Sequence, residues 1–319
     1  MQRIGVLTSG GDAPGMNAAV RAVVRKGFYH GLTVYGIERG FSGLINEEYR
    51  VMDRGSVADI IHRGGTILHT ARCPEFLISE GQNKALHFIE RLKLDGLVVI
   101  GGDGSFRGCM ALVDAGVPVI GVPATIDNDI AGCEHSIGFD TAVNTVTDAI
   151  NKVRDTATSH ERIYVIEVMG RDTGYIALSA GLAGGAESIL IPEIPFDLDD
   201  ICERLRRGIN RGKRHSIILV AEGAASALKI GAEIKSRMEM ETRVTILGHI
   251  QRGGTPTAFD RMLASRLGAH AVDLLMNKRS GLMVTLNDNN LQDIPFDEVL
   301  RGKKELCVEL FELAKILAI

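Results

Sequence analysis

Tryptophan is absent from this 319-residue chain, and aromatic residues make up only 5% of it, too few to build a stacking platform for single-stranded nucleic acid. A surplus of positive charge is missing as well. Lysine and arginine total 36 against 40 acidic residues, a formal net charge of −4, so no global basic field would hold a polyanion and any anion binding must be local. The five cysteines, Cys73, Cys109, Cys133, Cys202 and Cys307, make neither a CxxC pair nor a zinc-type His/Cys spacing, which fits a reducing compartment. No apolar run approaches the roughly 20 residues that span a bilayer. Ile4-Gly5-Val6-Leu7 meets Asp12 too early for a secretory signal core, so a cytoplasmic protein is expected. Walker A, a protein-kinase H-R-D loop and a Pro/Ser-rich linker are all missing.

What the chain has is glycine, 37 residues of it, much of it at the ends of short apolar runs. The runs Ile4 to Thr8, Leu97 to Ile100, Val117 to Val122, Ile163 to Val168, Ile189 to Ile191, Ile217 to Val220 and Val244 to Leu247 read as buried parallel strands. Stretches of helical length and period, such as Met16 to His30 and Thr141 to Thr156, lie between them. The pattern is βα repeated, and the fold class is α/β. Crossings between two lobes are expected near Gly138 and near Gly248 to Gly254. In such sheets ligands sit beyond the carboxyl ends of the strands, where Gly10-Gly11-Asp12, Gly101 to Ser105, Thr125 to Asp129, Met169-Gly170-Arg171 and Glu222-Gly223 all fall.

Gly101-Gly102-Asp103-Gly104-Ser105 could wrap backbone amides around a polyphosphate, with Asp103 toward Mg²⁺. An ordinary βα turn with Asp103 as helix cap explains the same letters. A Rossmann reading through Gly102, Gly104 and Gly108 is disfavoured, since the next strand, ending near Val122, lacks a terminal acid for a ribose. Thr125-Ile126-Asp127-Asn128-Asp129 places two carboxylates two residues apart. One could take the proton of an attacking hydroxyl while the other organises a metal, with Thr125 donating to a phosphoryl oxygen; an Asx turn is the plain alternative. Arg72, Arg162, Arg171, Arg243, His249 and Arg252 form a basic group suited to a substrate phosphate. Arg21 and Arg25, four apart on the first helix, together with Arg54, Arg154, Arg211 and Lys213, could converge on a second anion site or lie on solvated faces.

Taken in order, the motifs resemble those of bacterial ATP-dependent 6-phosphofructokinases along essentially the whole chain. The resemblance rests on Ile4 to Asn17 (IGVLTSGGDAPGMN), Gly101 to Ser105, Pro123 to Asp129 (PATIDND), Ser159 to Arg162, Glu167 to Arg171 and Leu247 to Gly254 (LGHIQRGG). It implies two Rossmann-like three-layer lobes with mostly parallel sheets and the active site in the cleft between them: residues 1–138 plus 251–303 binding ATP, and 139–250 plus 304–319 binding fructose 6-phosphate. The implied reaction is phosphorylation of the 1-hydroxyl of fructose 6-phosphate by ATP, the committed step of glycolysis. Asp127 would be the base. Thr125, Arg171 and Arg72 would stabilise the phosphoryl group in flight, and Asp103 with Asp129 would serve Mg²⁺. Gly11, Phe41, Arg72, Cys73, Gly102, Asp103, Gly104 and Ser105 would line the ATP site. Thr125, Asp127, Met169, Gly170, Arg171, Glu222, His249 and Arg252 would hold the sugar phosphate, with Arg162 and Arg243 coming from a neighbouring subunit of a homotetramer. Arg21, Arg25, Arg54, Asp59, Arg154, Gly185, Glu187, Arg211 and Lys213 would form an effector site for ADP or GDP as activator and phosphoenolpyruvate as inhibitor.

Phe41 and Phe106 depart from the Tyr common in the family, Leu77 from a basic residue, and Ala124 from Gly, so a hydroxyl and a charge near the nucleotide are lost. A pyrophosphate-dependent relative is the nearest competitor. It would carry Asp and Lys at positions 104 and 124, and Gly104 and Ala124 favour ATP. A non-catalytic nucleotide-sensing subunit would keep the fold, but the intact Thr125, Asp127 and Arg171 argue against it. An NAD-kinase-like reading of Gly101 to Gly104 leaves the sugar-phosphate arginines unexplained.

Overall fold

The computed structural model describes residues 1–238 and 240–318. The chain runs β1 (Arg3–Thr8), α1 (Met16–Tyr29), β2 (Thr33–Ile37), α2 (Phe41–Asn46), β3 (Tyr49–Met52), α3 (Ser79–Leu92), β4 (Gly96–Gly101), α4 (Asp103–Asp114), β5 (Val119–Pro123) and α5 (Phe139–His160). It continues through β6 (Ile163–Val168), α6 (Tyr175–Ala183), β7 (Ser188–Leu190), α7 (Leu198–Asn210), β8 (Ser216–Ala221), α8 (Ala227–Arg237) and β9 (Thr242–Ile246). The last elements are α9 (Ala258–Met276), β10 (Leu282–Asn287), β11 (Asn290–Pro295), α10 (Phe296–Arg301) and α11 (Val308–Leu317).

Two compact units emerge, Met1–Thr141 with Arg252–Lys304, and Ala142–Gln251 with Glu305–Ile319. The chain therefore crosses between the units at 141/142, 251/252 and 304/305. Unit 1 is built on a seven-stranded sheet ordered β11-β10-β5-β4-β1-β2-β3. Its inner strands are parallel, and the edges β3 and β11 each pair antiparallel with their neighbour. Unit 2 carries a parallel four-stranded sheet, β7-β8-β6-β9.

The parallel strands are nearly continuous apolar runs because helices cover both faces: every residue of β4, β5 and β8 is buried. Most helices bury an apolar stripe, and α6 is buried nearly all round. On α1 that stripe is Met16, Ala19, Val20, Val23, Val24 and Gly27, and on α5 it includes Ala142, Val146, Ile150 and Ala157, with spacings near one or two helical turns. A Cβ added at Gly268 would come within 2.7 Å of the Ala19 carbonyl oxygen, so α9 lies on α1 at a spacing only glycine allows. Phe106 is fully buried and stacks on Phe296, ring centroids 5.3 Å apart. It is a core residue, worth about 2–3 kcal/mol in apolar transfer, so a phenol there would have pointed into packing rather than toward a nucleotide.

Candidate active site

In unit 1 the carboxyl ends of β1, β4 and β5 lie side by side, and their loops are tied to one another through backbone. Ser9 N–H donates to Ile100 O at 2.9 Å and Ala124 N–H to Gly101 O at 2.9 Å. Thr8 Oγ1 donates to His69 O at 2.8 Å, and Thr70 Oγ1 to Gly10 O at 2.7 Å, which draws the segment leading to Arg72 to the same edge. Gly101 ends β4, Gly102 precedes α4, and Asp103 begins it half-exposed. The first amides of α4 thus face the edge where an anion gains from the helix terminus. A Cβ at Gly104 would meet nothing within 4 Å, leaving the approach to this turn open. One placed at Gly102 would lie 3.8 Å from Thr125 Cβ, so the glycine turn and the Thr125 loop are immediate neighbours.

That second loop is rigid. Asp127 N–H donates to Thr125 Oγ1 at 3.2 Å, and Thr125 Oγ1 donates to Asp127 Oδ2 at 3.3 Å, so hydroxyl and carboxylate are held together. Asn128 takes the left-handed backbone at φ 52°, a conformation Asn tolerates. Its side chain accepts from Ser136 N–H at 2.9 Å and donates to Glu134 O at 3.2 Å, while Ser136 Oγ donates to Thr125 O at 2.7 Å. The turn foreseen from the sequence is therefore present, and it is what fixes the carboxylate: Asp127 is 1% exposed. Ser136 was not foreseen, because a hydroxyl eleven residues from the loop it supports has no signature spacing. Lys304 was missed for the same reason. It donates to Glu134 O at 2.9 Å, and burial pushes its pKa down to about 8 against the opposing charges of Cys133, Asp129 and Glu134.

The remaining residues expected around the nucleotide divide. Arg72 is exposed, and the Cys73 thiol next to it is shifted up by burial, toward the protonated form. Phe41 is 6% exposed, packed on Phe76 with ring centroids 4.4 Å apart and tilted by 31°, and pressed against Gly108, where a Cβ would lie 2.7 Å from its ring. Gly11 serves a different neighbour. A Cβ there would sit 2.4 Å from Arg252 Nη1, which itself donates to Asp12 O at 3.3 Å, so the guanidinium rests on the glycine loop.

Unit 2 presents Met169, Gly170 and Arg171 directly after β6, and Glu222 directly after β8. Glu222 Oε1 accepts from Gly170 N–H at 3.2 Å and from Arg171 N–H at 2.9 Å. The carboxylate thereby holds a strained turn, with Gly170 at φ 143° and Arg171 at φ 52°. A side chain on Gly223 would strike the Arg171 carbonyl oxygen at 2.2 Å. His249 follows β9 in a short 3₁₀ turn, Gly248–Arg252, and is exposed.

Arg162 and Arg243 do not join this group. Arg162 precedes β6, and Arg243 lies opposite Tyr164 in the ladder, so both occupy the amino end of the sheet. Six strand residues at about 3.3 Å each separate them from Arg171 by roughly 20 Å. Both arginines close on Glu241, Arg162 at 2.6 Å, and the pairing lowers the Glu241 pKa and raises that of Arg162. The expected effector residues form two sets. In unit 1, Arg25 donates to Arg54 O at 3.2 Å. In unit 2, Arg154 donates to Gly184 O and Gly185 O, and Lys213 pairs with Glu187 at 2.7 Å.

The phosphofructokinase family profile matches residues 3–275. The chain belongs to the phosphofructokinase family. It is 60% identical over 319 residues to the ATP-dependent 6-phosphofructokinase of Halalkalibacterium halodurans and 57% identical to that of Listeria monocytogenes, covering 100% of both chains in each pairing. Among solved structures it superposes on phosphofructokinase from Saccharomyces cerevisiae with a TM-score of 0.89 at 32% identity, covering 99% of this chain and 46% of the yeast one. A pyrophosphate-dependent phosphofructokinase from Marinobacter aquaeolei shares the fold at 22% identity, TM-score 0.87, with coverage of 97% and 86%.

Proposed function

We propose that this chain transfers the γ-phosphoryl group of ATP to the 1-hydroxyl of D-fructose 6-phosphate, giving fructose 1,6-bisphosphate and ADP. The observation that carries the reading is the Thr125–Asp127 pair, held by its own loop against the amino end of α4. Asp127 accepts the proton of the sugar hydroxyl as it attacks, and Thr125 donates to a phosphoryl oxygen. Arg72 and Arg171 supply positive charge to the transferring group, and the α4 amides of Gly102 to Ser105 receive the remaining phosphates.

Mg²⁺ fits as a companion of the nucleotide. Among the described residues no three side chains form a metal cluster, and Mg²⁺ commonly takes one or two carboxylates together with substrate phosphates and water. Asp103 and Asp129 would hold it, and when bound it neutralises phosphate charge. ATP is preferred over pyrophosphate because the space above Gly104 is open, and because Ala124 is 1% exposed and leaves no volume for a lysine stem. A coupled assay decides: MgATP should support turnover and pyrophosphate should not, and the reverse would overturn the reading.

The sugar phosphate is held by Met169, Gly170, Arg171, His249 and Arg252, with Glu222 setting the turn that carries Arg171. Arg162 and Arg243, at the far end of the same sheet, serve the site of a neighbouring copy, so the working form is a homotetramer, in the cytoplasm. ADP or GDP and phosphoenolpyruvate act at the effector residues, each chain contributing Arg21, Arg25, Arg54 and Asp59 from unit 1 and Arg154, Gly185, Glu187, Arg211 and Lys213 from unit 2. Arg25→Ala should abolish both effector responses while leaving basal turnover in place, and intact responses would remove Arg25 from the site.

A further inference from the structure

Unit 2 contains a cavity of about 350 Å³ that touches the proposed effector residues only at Glu187 and includes none of those proposed for catalysis or sugar binding. Strand β7 contributes Ser188, α7 contributes Arg204 and Arg207, and the C-terminal helix α11 covers it with Phe311, Ala314 and Lys315. Its size lies within the range of small-molecule sites, roughly 300–1,000 Å³.

Two groups in its lining ask for an acceptor. Ser188 is 6% exposed, and its Oγ has no hydrogen-bond partner among the described residues. The Nε of Arg204 is likewise buried and unpartnered. Buried polar atoms are nearly always satisfied, and a buried cationic donor without an acceptor is costly. Two of the three acids in the lining are committed: Glu187 pairs with Lys213 at 2.7 Å and accepts from Ile217 N–H, and Asp197 caps α7 by accepting from Asp199 N–H at 2.8 Å, while Asp200 lies one turn before Arg204 on α7. Lys315 lies over the Phe311 ring at 4.6 Å. Asp200 and Arg207 also line it, and Ile194, Phe196 and Ile201 lie with Phe311 on its apolar side.

From these features we infer a second small-molecule site, separate from the nucleotide effector site, for an amphipathic anion: a carboxylate or phosphate monoester on an apolar body about the size of one aromatic ring. Its charged group meets Arg204 Nε and Ser188 Oγ, and its apolar body lies under α11 against Phe311. Arg207 adds long-range attraction, while Lys315 is already paired with Glu312 at 2.7 Å.

The test is titration calorimetry on the intact protein saturated with ADP and fructose 6-phosphate, which occupy the sites already described. Phenylacetate and phenyl phosphate are the probes, and inorganic phosphate and benzyl alcohol are the controls lacking one half of the chemistry. At least one probe should bind once per chain, tenfold or more tighter than either control, and the tighter probe identifies the anionic group. Arg204→Gln should weaken it at least tenfold without changing basal turnover. Ala314→Phe should block it, and Arg25→Ala should leave it unchanged. Equal affinity for probes and controls overturns the inference, as does unaltered binding to Arg204→Gln or loss of binding in Arg25→Ala. Because either cavity variant could misfold, wild-type crystals soaked in 4-bromophenylacetate give an independent answer. Anomalous density beneath α11 supports the site, and its absence there overturns it.

Discussion

Asp127 shows how far a single residue can be read from its letters. Two acids flanking Asn128 are as compatible with a turn as with a catalytic loop, and the structure shows a turn that also holds the carboxylate in place. The hydroxyl of Thr125 and the amide of Asp127 fix the carboxylate, while Asn128 and Ser136 fix the loop. Replacing Asp127 with Asn removes the proposed proton acceptor and keeps the shape, so kcat should fall by roughly 10²–10⁴ while the KM for fructose 6-phosphate stays within a few fold. Steady-state kinetics would expose an error if kcat held. Gly11 teaches the opposite lesson. The family resemblance puts it in the ATP site, but its missing Cβ makes room for the guanidinium of Arg252, 241 positions away, and no local spacing encodes that contact. Gly11→Ala should displace the flexible end of Arg252, raising the KM for the sugar phosphate severalfold more than the KM for ATP. A larger effect on ATP would place Gly11 with the nucleotide instead.

At the scale of elements, the strands foreseen from apolar runs are buried on both faces except β9, and their ends agree within about two residues. β2, β3 and β11 had escaped for a physical reason, since Tyr49, Val51 and half of β11 are exposed and Gly36 interrupts β2, whereas in β10 the short buried run Leu282-Met283-Val284 was missed. Helix α5 begins two residues before the expected start, and its cap comes from a residue far along the chain. Asp260 accepts from Gly138 N–H and Thr141 N–H, both at 2.9 Å, and from Thr141 Oγ1 at 2.5 Å. Burial nevertheless outweighs these bonds and raises its pKa to about 6. A carboxyl whose folded pKa is raised adds stability that is complete below its unfolded pKa, near 3.9, and is lost as pH rises through about 6. The shift corresponds to about 3 kcal/mol. Asp260→Asn has no such titration, so the stability difference, wild type minus variant, should grow in favour of wild type by that order between pH 7 and pH 4. Parallel denaturation curves across that range, giving a constant difference, would contradict it.

For the whole molecule, the proposal that one chain cannot complete a sugar site rests on direction alone. Arg171 follows β6 and Arg162 precedes it. Arg162→Ala and Arg252→Ala should each nearly abolish turnover, yet subunits of the two kinds reassembled together in equal amounts should recover about a quarter of wild-type activity, because one site in four then combines two intact halves. Absence of recovery would return Arg162 to its own chain's site. Family motifs could suggest this sharing, but they could not show the geometry behind it, since the strand that separates the two arginines is known only once its ladder is.

That strand is laced by backbone hydrogen bonds to β8 on one side and β9 on the other, and all but one of its six residues are buried. It behaves as a strut with no slack. If its two ends belong to different catalytic centres, a small displacement of the Arg171 turn when one sugar docks is delivered at the far tip as movement of Arg162. Occupancy of one centre would then become mechanical news at the next, carried along a strand paired on both sides and needing no hinge.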